Sequence, residues 1–381
     1  MPHTAEHAHP DHPAWGETPW EIAVALPFVP LPRRCDAVVV GAGFAGLSVA
    51  YHLARRGARV TVLEASTVGA GASGRTGGLV LEGTAAGPLE QVEHCLDAIS
   101  AVVQEAGIDC DLTLPGCAQV VHAKRDAGRW PGWRDGEQWI VASGTEPGGT
   151  VDPGKLVAGL VAAATRSGAA IHPATPVHAV APRGAGSYRV RCADGGEVEA
   201  RHVVLTVNAY TAQLLHLPLS FRSALTLALC TAPLDEMTLT EVGLAGAAPF
   251  YTHDLPYLWG RRAPDGRLIF GAGLVFPSHG DVRTVDLRER DAAESMARLE
   301  ARVRGLHPAL ADVRVTHRWG GPIAFRHGGA PYLSRLPDAP GMIVCGGCAG
   351  HGVALSVRIG QLIAAAVSDG APLPSWGALQ E

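Results

Sequence analysis

Two clusters of small residues in this sequence have the spacing of chemical sites. The first is Gly41-x-Gly43-x-x-Gly46, with Glu64 about 20 residues further on. A glycine at the first position permits a tight turn, the second lets a pyrophosphate approach the backbone, and the third lets a helix pack closely on a strand. The N–H groups that open such a helix favour a phosphate, and a carboxylate at Glu64 can accept hydrogen bonds from ribose hydroxyls. The motif points to a dinucleotide; the alternative is a bare strand-to-helix turn, which uses glycine in the same way. The second cluster is CGGCAGHGV, residues 345–353. It offers a Cys345/Cys348 pair, His351 and a run of glycines. A zinc site needs four ligands, and the sequence holds no second CxxC. A thioredoxin-type pair opens a helix, whereas Cys345 ends the apolar run MIVC. No metal is expected.

The elements around these clusters set their context. CDAVVV, from Cys35, is apolar and β-branched, as a buried parallel strand requires. LSVAYHLARRG has helical spacing and closes on Gly57, and ARVTVLE is a second strand ending on Glu64. The glycine motif therefore sits inside a βαβ unit. TVGAGASGRTGG, residues 67–78, is a glycine-rich loop. Helical spacing returns over 88–106, followed by short strand-like pieces from Cys117 to His122 and a loop at Trp130 to Trp133. VDPGKLVAGLVAAATRSG reads as a helix with Asp152 as N-cap and Pro153 at its first position. A hairpin, YRVRC-ADGG-EVEA, leads into the strand HVVLTV, which ends at Asn208. From about 216 to 339 the pattern is β-rich: SALTLALC, LPYLWGRR, RLIFGAG and VRVTHRWGGPIAF, interrupted by a charged helix at roughly 286–304. MIVC and an apolar helix from about 350 to 367 close the chain.

Composition removes several function classes. With 47 % hydrophobic and 18 % charged residues in 381, this is a globular chain of one or two domains. The net charge is −5 and the basic residues form no stripe, so no nucleic-acid partner is expected. The N-terminus is polar, with His3, His7, His9 and His12, and reads as a flexible tail without the pattern of a signal peptide. EIAVALPFVPLP is too short and too proline-interrupted to span a membrane. The eight cysteines follow no regular framework, so reduced thiols and a cytoplasmic location are expected.

The segments VVVGAGFAGLSVAYHLARRG, VLEASTVGAGASGRTGG, VDPGKLV, TPV, VVLTVNAY, RWGG and AGHGV, in this order, resemble the FAD-dependent oxidoreductases of the D-amino-acid-oxidase superfamily. The resemblance runs from Cys35 to about Ser368 and is closest to the branch of glycine oxidase, sarcosine oxidase and γ-glutamylputrescine oxidoreductase. It implies an α/β plus α+β fold: a Rossmann-like FAD-binding domain with a parallel sheet, interleaved with a mainly antiparallel β substrate domain. The expected division is an N-terminal extension at 1–34, an FAD-binding domain at 35–85, 150–215 and 340–381, and a substrate domain at 86–149 and 216–339. Gly41, Gly43, Gly46 and Glu64 would hold the adenosine half of FAD, with Phe44, Ala45 and Ala65 beside them. Ser73, Gly74, Arg75 and Thr76 would lie along the diphosphate and near the flavin ring. Val177 would meet the adenine through its backbone, and Asn208 and Ala209 would lie near the cofactor. Gly347, Gly350, His351, Gly352 and Val353 would meet the flavin edge, where the start of the last helix stabilises negative charge. Non-covalent FAD is expected, since Thr76 cannot form a flavin bond; attachment at Cys348 is the alternative.

The same resemblance implies oxidation of a C–N bond, with hydride transfer to flavin N5 and hydrolysis of the imine. In amino-acid-oxidising members an arginine soon after the Trp-x-Gly grips the carboxylate; here Trp319-Gly320-Gly321-Pro322-Ile323 has none. The substrate is therefore expected to be a small amine or amino-acid-like molecule, with Arg261, Arg262 or Arg326 as other sources of a carboxylate contact. Tyr251, Tyr257, Trp259, Arg261, Trp319 and His351 are the substrate-site candidates, each of which could instead pack ordinarily. RLIFGAG lacks the lysine that assists dioxygen in sarcosine-oxidase-like members, and Lys124 and Lys155 are the only lysines. The electron acceptor is thus O2 or another molecule. Gly346-Gly347 stands where hydroxylase relatives carry Gly-Asp. Other readings are a flavoprotein acting on a biosynthetic intermediate, a thiol–disulfide flavoenzyme using Cys345 and Cys348, and a flavin-binding scaffold.

Overall fold

The computed structural model describes residues 14–125, 132–184, 186–211, 214, 221–278 and 280–378. His3, His7, His9, His12, Trp130 and Pro131 lie outside the described residues. The apolar run after Cys35 forms the strand Arg34–Val40, whose Val38 and Val39 are fully buried. It pairs in parallel with Val60–Leu63 on one side and Glu197–Leu205 on the other, and Val40 lies level with both Leu63 and Leu205. Outward from these, Ala170–His172 and Ala339–Gly346 extend the parallel sheet. Tyr332–Leu336 adds an antiparallel edge, and Val177–Gly184 and Ser187–Cys192 form a meander on the other half of Glu197–Leu205.

Both faces of this sheet are covered, which is why its central strand is apolar from Ala37 to Val40. Ala37 and Val39 share a core with the helices Phe44–Arg55, Pro153–Arg166 and Gly352–Ser368. Val38 and Val40 share another with Tyr188, Val190 and Val198 of the meander. Asp152 caps the second of those helices, its Oδ1 accepting the Lys155 N–H at 2.9 Å, with Pro153 at the first position. The first and last helices touch at Gly360, where a Cβ would lie 2.2 Å from Ser48 Oγ. The Ser48 hydroxyl donates to the Val357 carbonyl at 3.0 Å.

The second sheet runs Val315–Phe325, Arg222–Thr231, Leu268–Val275, Trp259–Arg262, Phe250–Thr252, Cys117–Ala123, Gln138–Glu146 and Arg134–Asp135. All its pairs are antiparallel except Phe250–Thr252 with Cys117–Ala123. The helix Arg290–Gly305 contributes Met296, Leu299 and Val303 to a core with Leu227, Leu229 and Phe270 on one face. The other face turns toward the glycine-rich loop. LPYLWGRR yields only the short strand Trp259–Arg262, because Pro256 has no N–H for a ladder.

Two placements differ from the expected segments. The helix Cys95–Ala106, expected with the second sheet, buries Cys95, Ile99 and Val102 in the core of the first. Its start is held by Glu82, whose carboxylate accepts the N–H groups of Cys95 at 2.6 Å and Leu96 at 3.2 Å. Tyr332–Leu336, expected in the second unit, pairs within the first sheet. The described part of the N-terminal extension is also packed: Trp15 is 1 % exposed, and its indole N–H donates to the Val285 carbonyl at 2.9 Å.

His52, on the first helix, is buried, and its Nε2 has no partner. Burial, reinforced by Arg56 and Arg55, lowers its pKa from 6.5 to about 4. Below pH 6.5 the unfolded chain takes up a proton that the folded chain refuses, so folding stability falls with pH until about pH 4. Acidification from pH 7 to 5 is expected to cost about 2 kcal/mol through this one group. Urea unfolding at the two pH values, compared with His52→Gln, measures it; an equal acid loss in the variant would contradict the assignment.

Candidate cofactor and substrate site

The first sheet delivers the glycine motif to the carboxyl ends of its parallel strands, where ligands of such sheets bind. Gly41 leaves Arg34–Val40 at φ +101°, a value that side chains resist. A Cβ on Gly46 would lie 2.0 Å from the Gly41 carbonyl oxygen and 2.6 Å from Thr206 Oγ1, so strand turn and helix approach only without it. Gly43 is the N-cap of the first helix and brings no side chain. Ser73 arrives from the 67–78 loop instead, its hydroxyl accepting the Phe44 N–H at 2.9 Å. Glu64 closes the turn from the neighbouring strand: Oε2 accepts the Ala42 N–H at 2.8 Å and Oε1 that of Ser66 at 3.0 Å. Burial pushes this carboxyl above its usual range, opposed by the N–H groups of Ala42, Ser66 and Ala65.

The C-terminal cluster reaches the same sheet edge. Asn208, at φ +43°, follows the strand Glu197–Leu205, and its Oδ1 accepts the Gly347 N–H at 2.8 Å. Gly347, Ala349 and Gly350 all have positive φ, and the bend places His351 as N-cap of Gly352–Ser368 with no side chain capping that helix. His351 Nδ1 is buried without a partner, and burial lowers its pKa, which keeps the ring neutral. Ala209 and Val353 are buried beside this bend, and Val177 opens its strand opposite Cys192. Burial pushes the Cys345 thiol up and the Cys348 thiol to about 11, so neither is a thiolate near neutral pH. The residues present fit a dinucleotide: a glycine turn without Cβ atoms, a last-helix start without a side-chain cap, a hydroxyl at the start of the first helix and a buried carboxylate.

Opposite lies the second sheet, and its register gathers several substrate-site candidates into one transverse row. Gln119 pairs with Tyr251, Tyr251 with Trp259, Trp259 with Gly271, Gly271 with Ala228, and Ala228 with Trp319. Directly paired residues point to the same face. Trp259 leans on the glycine-rich loop of residues 67–78: a Cβ on Gly77 would lie 2.0 Å from its Cη2, and one on Gly271 2.1 Å from its Cζ2. Tyr251 donates to Glu146 Oε1 at 2.8 Å, and the Gln119 amide donates to Glu146 Oε2 at 2.9 Å and to Tyr251 Oη at 3.1 Å. The Tyr257 ring lies 6.4 Å from that of Tyr251, and it is 41 % exposed.

Five candidates take other roles. Trp319 is fully buried, donates its indole N–H to the Arg75 carbonyl at 2.9 Å and meets Trp20 edge-on at 5.4 Å. It supports the loop from behind and does not line open space. The Arg75 guanidinium turns to the carbonyls of Gly16, Gly320 and Trp15, at 2.9, 3.3 and 3.4 Å, and is not free for a diphosphate. Arg261, 3 % exposed, donates to the Gly77 carbonyl and makes no ion pair among the described residues; burial lowers its pKa to about 10. Arg262 reaches Glu236 and the Ala245 carbonyl, and Arg326 the Ala378 carbonyl. Gln119 and Glu146 escaped sequence reading: neither belongs to a motif, and only strand register brings them to Tyr251.

Known proteins share this fold. The glycine oxidase of Geobacillus kaustophilus, as a crystal structure, superposes with a TM-score of 0.77 over 92 % of this chain and 99 % of its own, at 20 % identity. In sequence, the chain is 26 % identical to the γ-glutamylputrescine oxidoreductase of Escherichia coli (strain K12) over 372 residues, covering 87 % of this chain and 83 % of that one. It is 26 % identical to the glycine oxidase of Geobacillus kaustophilus (strain HTA426) over 370 residues, covering 88 % and 93 %. The family model described as "FAD dependent oxidoreductase" matches residues 36–366, which include the glycine turn, Glu64, the transverse row and the His351 bend. With the dinucleotide cradle and the sheet facing it inside that match, the chain belongs to the DAO family of FAD-dependent oxidoreductases.

Proposed function

We propose that this protein oxidises the C–N bond of a small amine or amino-acid-like substrate to an imine, which water hydrolyses. The observation that carries the reading is the row Gln119–Tyr251–Trp259, which lines one sheet face against the cofactor loop and carries Glu146 at its end. The names of the two relatives above, an oxidase of glycine and an oxidoreductase of γ-glutamylputrescine, support it. FAD, when bound, supplies at N5 the acceptor for a hydride from the carbon beside nitrogen. The glycine turn Gly41–Gly46, which brings no Cβ atoms at its glycines, and the Ser73 hydroxyl would hold the diphosphate, and Glu64 would face the ribose. The start of Gly352–Ser368 offers N–H groups and dipole to negative charge on the cofactor. His351, neutral, adds no competing charge. Trp259, against Gly77, limits where a substrate carbon can sit. The cofactor is held without a covalent bond, and O2 or another acceptor reoxidises it.

Anaerobic mixing with a panel of amines, N-methyl amino acids and amino acids tests this. At least one compound is expected to bleach the yellow flavin absorbance, air then reporting whether O2 restores it. Denaturation is expected to release the flavin. If dithionite bleaches the flavin and no C–N compound does, the reading fails.

A further inference from the structure

We propose that Glu146 determines substrate class, by binding a second, non-reacting cationic nitrogen, so that the preferred substrates are diamine-like cations rather than zwitterionic amino acids. The inference rests on the amine-oxidation reading of this same site. Glu146 is half-buried at the end of Gln138–Glu146, just before Pro147-Gly148-Gly149. Each of its oxygens accepts a neutral donor, Tyr251 Oη at 2.8 Å and Gln119 Nε2 at 2.9 Å, and it makes no ion pair among the described residues. Burial, and next the Glu146 hydrogen bond, raise the Tyr251 pKa, so the phenol stays protonated and donates. A carboxylate whose two hydrogen-bond donors are both neutral has no counter-charge beside it.

The surroundings suit a cation. The Tyr251 and Tyr257 rings flank the carboxylate's hydrogen-bonded corner, and aromatic faces attract ammonium groups. Burial lowers the His351 pKa at the start of the last helix, so that ring offers no competing positive charge. The arginines that could hold a carboxylate are directed elsewhere: Arg261 to the Gly77 carbonyl, Arg262 to Glu236, Arg75 to Gly16. Ser143, Gly144 and Thr145 beside the cluster are exposed, which leaves this end open for entry. A carboxylate favours the protonated form of any amine it binds, whereas hydride loss needs a neutral amine. The nitrogen at Glu146 is therefore not the one oxidised. Tyr251 and Gln119 stand one and two strands from Trp259, about 5 and 10 Å, which separates the anchoring end from the end at the cofactor loop.

The test compares α,ω-diaminoalkanes of three to six carbons with alkylamines of equal length, in which a methyl group replaces the distal ammonium. The FAD-loaded wild type is expected to show kcat/KM for anaerobic flavin reduction at least about tenfold higher with the diamine of best length than with its alkylamine. Glu146→Gln, isosteric and still able to accept from Tyr251 while the Gln119 amide turns to accept its new N–H, is expected to bring that ratio to about one, mainly through a raised KM for the diamine, with FAD content retained. Calorimetric binding of the same pairs decides the charge preference even where no probe reduces the flavin, with diamine affinity expected to fall at least about tenfold in the variant. Equal handling of diamine and alkylamine by the wild type, an unchanged ratio in Glu146→Gln, or a preference for amino acids over diamines overturns the proposal. Alkylamine oxidation without diamine preference sinks this inference and leaves the amine-oxidation reading standing. Diamine binding with no flavin reduction by any amine does the reverse.

Discussion

Gly46→Ala is expected to yield protein that retains at most about a tenth of its FAD and unfolds at markedly lower temperature. The added Cβ would stand 2.0 Å from the Gly41 carbonyl oxygen and 2.6 Å from Thr206 Oγ1. Neither is the far end of a flexible side chain: the Thr206 hydroxyl is itself donating to the Val40 and Gly41 carbonyls, at 2.9 and 3.1 Å. Relief therefore requires the first helix to move off the sheet, which costs about 1–3 kcal/mol in overpacked cores. The same movement carries the Phe44 N–H away from Ser73 and the Ala42 N–H away from Glu64, which dismantles the cradle. Gly305→Ala, where a Cβ meets nothing within 4 Å, is the control. Flavin absorbance per protein and thermal unfolding read the result. Full FAD occupancy in Gly46→Ala would show that this close approach does not set cofactor binding.

Deleting residues 1–23 is expected to produce the second large effect, a loss of both stability and flavin retention. Although outside the matched family region, the segment from Ala14 to Ile22 straps the second sheet to the cofactor loop. Trp15 enters the core around Leu227 and Phe270, and its carbonyl accepts the Gly320 N–H at 2.7 Å. The Trp20 indole donates to the Gly74 carbonyl at 2.7 Å and packs edge-on against Trp319. Ile22 lies where Cβ atoms on Gly69 and Gly74 would approach to 3.0 and 2.7 Å. Loss of Trp15 alone is expected to cost about 3–5 kcal/mol, as for other buried tryptophans. Trp20→Ala separates the roles, because its indole touches the loop and Trp319 on the near face of the second sheet, and not the core around Leu227 and Phe270. That variant should release FAD faster on dilution while losing much less stability than Trp15→Ala. Unchanged flavin release in Trp20→Ala would assign the strap to stability alone.

Much of the cofactor half was legible in the order of residues. The βαβ unit, the glycine turn, the Asp152 cap and the last apolar helix are local structures. Their requirements for absent Cβ atoms, a short polar side chain before a helix, or β-branched burial act within a few residues of the chain. Glu64 was legible for a related reason: it directly follows a parallel strand beside the glycine turn, so strand length places it, whereas Asn208 lies three residues past the end of its strand. The CGGCAGHGV stretch drew attention through its cysteines, yet its glycines and its histidine make the bend, and burial leaves both thiols protonated.

The substrate half was legible only as types of residue. Tyr251, Trp259 and Trp319 could be named, but their separate fates follow from register across strands that the chain reaches at 119, 228, 251, 259, 271 and 319. No spacing along the sequence encodes which of them is walled in by Trp20 and which remains beside Glu146. Arg75 and Arg261 illustrate the same limit, since the carbonyls that hold their guanidinium groups belong to distant segments. The amino-acid order by itself determined the cradle, because a glycine turn between strand and helix is specified by neighbours in the chain. Tertiary structure alone decided the Glu146 corner and the N-terminal strap, because both are made by long-range packing and strand pairing.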